Sequence, residues 1–170
     1  MSDRLQQLNE LGQEEAVKEL LKCCGSERWA NRLARERPFH DLDSILRASD
    51  RIWLALDASD WLEAFSHHPK IGERKAAKEV SEEARAWSEQ EQSGARQSSA
   101  ETMRELIAAN LEYERRFGFI FIVCATGKST EEMLALLNAR LKNDADKELH
   151  VAAEEQRRIT HLRLKKLLES

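Results

Sequence analysis

Phe119-Ile-Phe-Ile-Val-Cys124 decides the fold class, because it is the one segment of the sequence with the composition of a β-strand. No second run of β-branched and aromatic residues occurs elsewhere in the 170 residues. A lone strand would leave its backbone N–H and C=O groups without partners. The segment is therefore predicted to be a buried connector, extended or helical, inside an all-α domain.

The sequence on both sides of this segment has the apolar spacing of amphipathic helices. Ser98 with Glu101, and Ser129 with Glu132, have the spacing of capping boxes at helix N-termini. Gly118 is a suitable residue to end the first of these two helices. The chain holds only two prolines and six glycines, which is consistent with a mostly helical protein.

Further helices are predicted from the remaining caps and apolar periods. Ser26 precedes a helix that must stop before Pro38, and Asp41 and Ser59 precede two more. The last helix is predicted from about Asp144 to the end of the sequence. Because 170 residues form one ordinary domain, we expect a single-domain multi-helix bundle over residues 1–170.

The composition excludes several classes of protein. The hydrophobic fraction is 41% and no apolar run approaches the 20 or so residues of a membrane span, so no membrane partner is expected. The net charge is −4 with both signs interspersed, which disfavours nucleic-acid binding. Three cysteines without a CxxC pair predict neither disulfides nor a zinc ribbon. The first ten residues lack the apolar run of a secretory signal, so a cytoplasmic protein is expected.

His68 is the first candidate functional residue, because it precedes Pro69 after the apolar turn of residues 61–65. The residue before a proline is disfavoured in the α region, which places His68 at a helix exit. An imidazole changes charge near pH 7 and therefore suits a proton donor. The alternative is a surface histidine in a loop.

Two groups of polar residues supply further candidates. Ser88 and Glu91 are three residues apart, so they share one face of a helix and can present a hydroxyl and a carboxylate to a polar ligand. The alternative is a solvated helix end. In the last helix, one buried arginine among Arg157, Arg158 and Arg163 would bind a carboxylate through two parallel hydrogen bonds, and the spacing does not select among them.

Two other ligand-binding motifs are rejected. The Gly127-Lys128-Ser129 tripeptide does not complete a phosphate-binding P-loop, because Ile122 stands where that motif needs a glycine. No HExxH pattern occurs among the five histidines, so no metal site is predicted. Backbone groups at the end of the apolar segment can still face a pocket.

Four segments follow one another in an informative order: HHPKIGE at 67–73, SEQEQSG at 88–94, FGFIFIVCATGKS at 117–129 and THLRL at 160–164. Together they resemble the family of 2-oxo-4-hydroxy-4-carboxy-5-ureidoimidazoline (OHCU) decarboxylase, an enzyme of uric acid degradation, over nearly the whole chain. Residues 70–73 resemble its bacterial form. The resemblance implies an all-α, cofactor-free homodimer, a carboxy-lyase that converts OHCU to (S)-allantoin and CO2.

The same resemblance implies roles for individual residues. His68 falls on the proton donor of the family, Pro69 borders the substrate, and Arg163 falls on the arginine of the last helix. The other implied substrate-binding positions are Ser88, Glu89, Gln90, Glu91 and Gln92, with Ser88, Glu91 and Gln92 as direct contacts, and, through their backbone groups, Phe121, Ile122, Val123, Cys124 and Ala125.

Two other functions are compatible with the sequence. A helical interaction protein without catalytic activity would need only the amphipathic pattern and a charged surface, and it would carry an apolar partner-binding patch. A different enzyme on the same fold would act on another ureido or imidazoline acid. Neither alternative explains why polar groups recur at the positions of the family.

Overall fold

A computed structural model describes residues 2–70, 81–91 and 99–169. Within these ranges the chain forms helices and no strands, which confirms the predicted all-α class. No helix in the described ranges combines the length and the apolar character needed to cross a membrane. The helices are α1 Asp3–Glu10, α2 Gln13–Leu21, α3 Glu27–Arg35, α4 Leu42–Leu54, α5 Ala58–Phe65, α6 Glu82–Glu91, α7 Ala100–Phe117, α8 Thr130–Arg140 and α9 Ala145–Glu169.

The chain divides into two compact units. The first unit consists of Met1–Ala64 together with Arg157–Ser170, and the second unit is Phe65–Gln156. In the first unit α2 packs against α3 and α3 against α4, and in the second α7 packs against α8. The single domain expected over residues 1–170 stays a prediction.

The first unit has a core built around tryptophan side chains. Trp29 is fully buried and its indole N–H donates to Ser49 Oγ at 3.2 Å. Trp61 donates to the backbone oxygen of Trp53 at 3.1 Å, and the two rings lie 6.0 Å apart. A buried indole needs an acceptor, and both of these rings have one.

The second unit has a core formed between α7, α8 and the segment that the sequence marked as strand-like. Phe121, Val123 and Ala125 pack at alternate positions into a cluster whose other buried members come from α7 and α8: Leu106, Tyr113, Met133 and Leu137. Residues 121–125 are buried but belong to neither helix nor strand. This confirms the predicted buried connector for residues 121–124, whereas Phe119 and Ile120 of the predicted segment are half-buried. The alternating side chains are those of an extended backbone.

A buried ion pair lies beside this connector. Arg140 at the end of α8 donates to Glu148 of α9 at 2.6 Å, and Glu148 is fully buried. The Tyr113 hydroxyl and the Asn143 amide also donate to Glu148. Arg140 further donates to the backbone oxygen of Ile122 at 2.7 Å. The network therefore ties the connector to α7, α8 and α9.

Several helix ends agree with the predicted caps, and two differ. Ser59 was predicted to precede a helix, but it lies inside α5, and Asp57 Oδ1 accepts from Asp60 N at 3.2 Å. Ser26 and Ser129 accept from backbone N–H groups of α3 and α8 as predicted. The α7 cap is Ser99, whose Oγ accepts from Thr102 N at 3.2 Å, so the cap predicted at Ser98 is wrong by one residue. Either serine of this pair has the required side chain, and only backbone register decides between them. At α8 the Glu132 carboxylate accepts from the Ser129 hydroxyl.

Candidate functional site

His68 is held at the exit of α5, as the following proline predicted. Its backbone N–H donates to the Phe65 carbonyl at 3.2 Å, and its side chain is half-buried. The ring Nε2 lies 2.6 Å from Oε1 of Gln156, a fully buried residue of α9. Two residues further on, Lys70 forms an ion pair of 2.9 Å with Glu114 of α7. The imidazole is therefore fixed by its own backbone and by a buried side chain.

The predicted polar face lies on α6 and is partly buried. Ser88 is 5% exposed, Glu89 and Glu91 are half-buried, and Gln90 is exposed. An exposed helix end, the alternative interpretation, does not describe Ser88. Gln92 lies outside the described residues, as do residues 71–73 and 93–94 of the two motifs.

Glu91 acts electrostatically on the connector. Burial raises the pKa of the Cys124 thiol, the Lys128 ammonium lowers it, and the carboxylates of Glu155 and Glu91 raise it again. Through these two carboxylates, α6 and α9 both act electrostatically on the thiol of the connector. Glu91 of α6 is thus coupled electrostatically to Cys124 of the connector, and the substrate-binding roles implied for both stay predictions.

Two carbonyl groups of the connector already accept hydrogen bonds from side chains. Ile122 accepts from Arg140 at 2.7 Å, and Cys124 accepts from Lys128 Nζ at 2.7 Å. The Ala125 carbonyl accepts from the backbone N–H of Lys128 at 3.0 Å. These bonds fix how the peptide groups of residues 121–125 are oriented, which is a requirement for recognition of a ligand by backbone atoms.

The arginines of α9 differ in their surroundings. Arg163 is 6% exposed, whereas Arg157 is half-buried and pairs with Asp50 at 3.2 Å. Arg158 is exposed. Arg163 is therefore the buried arginine that the spacing alone did not select.

Arg163 lies in the first unit, in the surroundings of Cys24. Burial raises the pKa of the Cys24 thiol to about 12, while hydrogen bonds to Ser26 and Thr160 and the charge of Arg163 lower it. The other described candidates, from His68 to Ala125, belong to the second unit.

Two polar residues of α9 were not predicted to belong to the site. Glu155 is 9% exposed and acts on Cys124, and its neighbour Gln156 holds His68. One turn of α9 therefore interacts with both the His-Pro segment and the connector. The local signal was that position 156 lies between Ala152 and Ile159 on the apolar face of α9, where a glutamine interrupts the pattern.

The second unit gathers groups suited to an organic ligand rather than to a metal ion. Within residues 2–70, 81–91 and 99–169, no three histidine, cysteine, aspartate or glutamate side chains are grouped so that they could hold a metal ion. The candidate groups of this unit are the His68 imidazole, the carboxylates of Glu91 and Glu155, the Lys128 ammonium and the buried backbone of residues 121–125. Such a set can orient a polar, amide-containing acid and exchange a proton with it.

Solved structures with the same arrangement of helices are known. A crystal structure of OHCU decarboxylase in the presence of (S)-allantoin has 37% identity and a TM-score of 0.78, covering 90% of this chain and 99% of that one. A crystal structure of (S)-allantoin synthase has 17% identity and a TM-score of 0.72, covering 96% of this chain and 53% of that one, and shows the likeness of fold alone.

Relatives found by sequence carry related names. The uric acid degradation bifunctional protein TTL of Arabidopsis thaliana is 39% identical over 85% of this chain and 45% of its own length. The 2-oxo-4-hydroxy-4-carboxy-5-ureidoimidazoline decarboxylase of Haloferax volcanii is 28% identical over 94% of this chain and 93% of its own length. The chain spans less than half the length of the bifunctional relatives it matches. The family model described as OHCU decarboxylase matches residues 9–165, and the chain belongs to the OHCU decarboxylase family.

Proposed function

We propose that the protein removes the carboxylate of OHCU to give (S)-allantoin and CO2, as a stereoselective, cofactor-independent decarboxylase of uric acid degradation. The observation that carries the proposal is that Glu155 and Gln156, adjacent on α9, interact with Cys124 and His68 respectively. The two segments implied to hold the substrate and to protonate it are therefore both linked to one turn of α9, the first by an electrostatic interaction and the second by a hydrogen bond. The family relation identifies the substrate that we propose, and the interactions of Glu155 and Gln156 support the proposed site.

The chemistry follows from the charges that develop during the reaction. When the bond to the carboxylate breaks, its electron pair stays on the ring carbon, and the adjacent carbonyl delocalises it as an enolate-like anion. His68 then gives a proton to this carbon from one side, which sets a single configuration. The protein must hold the leaving carboxylate and stabilise the transient negative charge while this happens.

The binding roles are proposed from the family and from burial. Arg163 is assigned to the carboxylate, because a buried guanidinium binds a carboxylate through two parallel bonds. Ser88 and Glu91 are assigned to the ureido group, with Glu91 accepting from its N–H donors. Pro69, Glu89, Gln90 and Gln92 keep their implied places around the substrate. The backbone of residues 121–125 is assigned to the amide groups of the ring.

Other properties of the family are proposed with the function. We expect a homodimer in the cytoplasm. Sedimentation of the purified chain at assay concentration measures its oligomeric state. The likeness of residues 70–73 to bacterial members stays a prediction, because plant and archaeal proteins are among the relatives that the chain matches.

Circular dichroism of the product tests the proposal. Freshly generated OHCU decays spontaneously to racemic allantoin, which has no optical activity. With the protein present, we expect faster decay and the signal of (S)-allantoin. Racemic product at the spontaneous rate would instead favour the helical interaction protein, and conversion of a different ureido or imidazoline acid would favour the other enzyme.

A further inference from the structure

The contact between His68 and Gln156 has a consequence for the state of the imidazole. The two atoms, Nε2 of the ring and Oε1 of the amide, lie 2.6 Å apart, although the residues are 88 positions apart in the chain. Oε1 is a carbonyl oxygen and can only accept, so Nε2 must carry the hydrogen. A neutral ring that donates from Nε2 has its lone pair at Nδ1, so in the proposed reaction His68 releases a proton held at Nδ1 of the imidazolium and returns to this neutral tautomer.

We propose that Gln156 is a positioning residue for His68, whose side-chain oxygen accepts from Nε2–H and so fixes the tautomer and the direction of the ring. Gln156 is fully buried on α9, which limits the rotamers it can adopt and makes it a rigid support. The backbone bond from His68 to Phe65 holds the other end of the residue. His68 is thus held at two points, its backbone N–H and its ring Nε2.

An amide is a suitable support for a group that must both carry and release a proton. A carboxylate at the same place would also orient the ring, but its charge would stabilise the imidazolium and oppose proton release. Gln156 orients the ring without adding a charge. The catalytic consequence of this arrangement rests on the proposed function, whereas the tautomer does not.

Two substitutions separate orientation from charge. Gln156→Glu keeps an acceptor of the same shape and adds a charge, and Gln156→Met removes the acceptor at similar volume. Among the described residues, the titratable groups closest to the pair in sequence are His67, Lys70 and Glu155; Lys70 pairs with Glu114 of α7, and Glu91 of α6 acts on Cys124. They are the same in every variant, so a difference between variants belongs to residue 156.

Nitrogen-15 NMR of the imidazole tests the proposal without substrate. In the unaltered protein we expect the neutral His68 ring to be the tautomer with hydrogen on Nε2. Gln156→Glu should keep this tautomer and move the titration midpoint of His68 about 1 to 3 pH units higher. Gln156→Met should give a mixture of tautomers. A neutral His68 ring with its hydrogen on Nδ1, or identical spectra and identical His68 titration midpoints in all three proteins, would overturn the proposal.

Kinetics with OHCU supply the second readout. Gln156→Met should lower kcat by about 10- to 100-fold with a much smaller change in KM, because a misdirected proton donor slows the step rather than binding. Gln156→Glu should move the pH profile of kcat upward. The control is Gln7→Met, at an exposed position of α1, which should change neither kcat nor its pH profile. If the NMR results appear but the unaltered protein does not convert OHCU, the proposed function fails and the positioning role stands. Equal kcat in all variants would remove the catalytic role of Gln156.

Discussion

Replacement of Arg140 by methionine tests the buried network that holds the connector. Arg140 is 7% exposed, donates to Glu148 and to the Ile122 carbonyl, and lies 4.4 Å from the centre of the Phe121 ring. Methionine fills much of the same volume without the charge. The substitution therefore removes the donors and leaves a fully buried carboxylate.

The expected cost can be worked from these contacts. Breaking one partner of a buried ion pair costs about 3–5 kcal/mol. The freed Ile122 carbonyl adds to this cost, whereas the Tyr113 hydroxyl and the Asn143 amide still donate to Glu148 and reduce it. We expect about 4 kcal/mol, which is about a thousandfold rise in the unfolded fraction. The midpoint of thermal unfolding should fall by roughly 8–16 °C.

Urea unfolding, followed by far-UV circular dichroism, measures this cost. The matched control is Arg115→Met, since Arg115 is 75% exposed and forms a surface ion pair with Glu112. Its cost should be below about 1 kcal/mol. The double variant Arg140→Met/Glu148→Leu removes both charges and should recover at least half of the loss. A cost below about 1 kcal/mol for Arg140→Met, or costs that simply add in the double variant, would refute the reasoning.

Three other predictions concern pH, the binding residues and a turn. Burial raises the pKa of the Cys24 thiol from 9.0 to about 12, so the stability gained by keeping the thiol neutral is complete below pH 9 and is lost as the pH rises toward 12. Between these values the free energy of unfolding should fall by about 1.4 kcal/mol per pH unit more than in Cys24→Ala. Equal pH slopes of the two proteins in urea unfolding would contradict this prediction. Glu91→Ala and Arg163→Ala should impair OHCU turnover far more than Arg157→Ala, and equally small effects of all three in steady-state kinetics would count against the site. Gly118 has φ of +81°, and no neighbouring atom lies within 4 Å of the place that a Cβ would take, so Gly118→Ala should cost about 1 kcal/mol in urea unfolding from backbone strain alone, and no loss would show that the turn does not need a glycine.

Local sequence features predicted most of the helices and the connector. Ser26 and Ser129 cap their helices because a hydroxyl near the first turn satisfies backbone N–H groups, which is a property of a few neighbouring residues. Residues 121–125 were predicted to be buried because they are apolar and lack a partner strand. Such features depend on short spacing, and spacing can be read directly.

The parts that were not predicted depend on contacts between distant residues. Gln156 contacts His68, which is 88 positions away in the sequence, and Arg157 contacts Asp50, which is 107 positions away. The burial of Arg163, which distinguishes it from Arg157, likewise depends on tertiary packing. No period or cap specifies such pairs, because tertiary packing creates them. The polar Gln156 on an apolar helix face was a local sign that this buried amide has a polar partner.

The central claim is that the imidazole of His68 delivers the proton that replaces CO2. Its most direct test is the rate and optical activity of OHCU conversion by His68→Ala, with His40→Ala, an exposed histidine of the first unit, as the matched control. We predict that His68→Ala keeps the far-UV spectrum of the unaltered protein, loses turnover by about 10²- to 10⁴-fold and yields allantoin without optical activity. Near-normal turnover to (S)-allantoin in that variant would contradict the account.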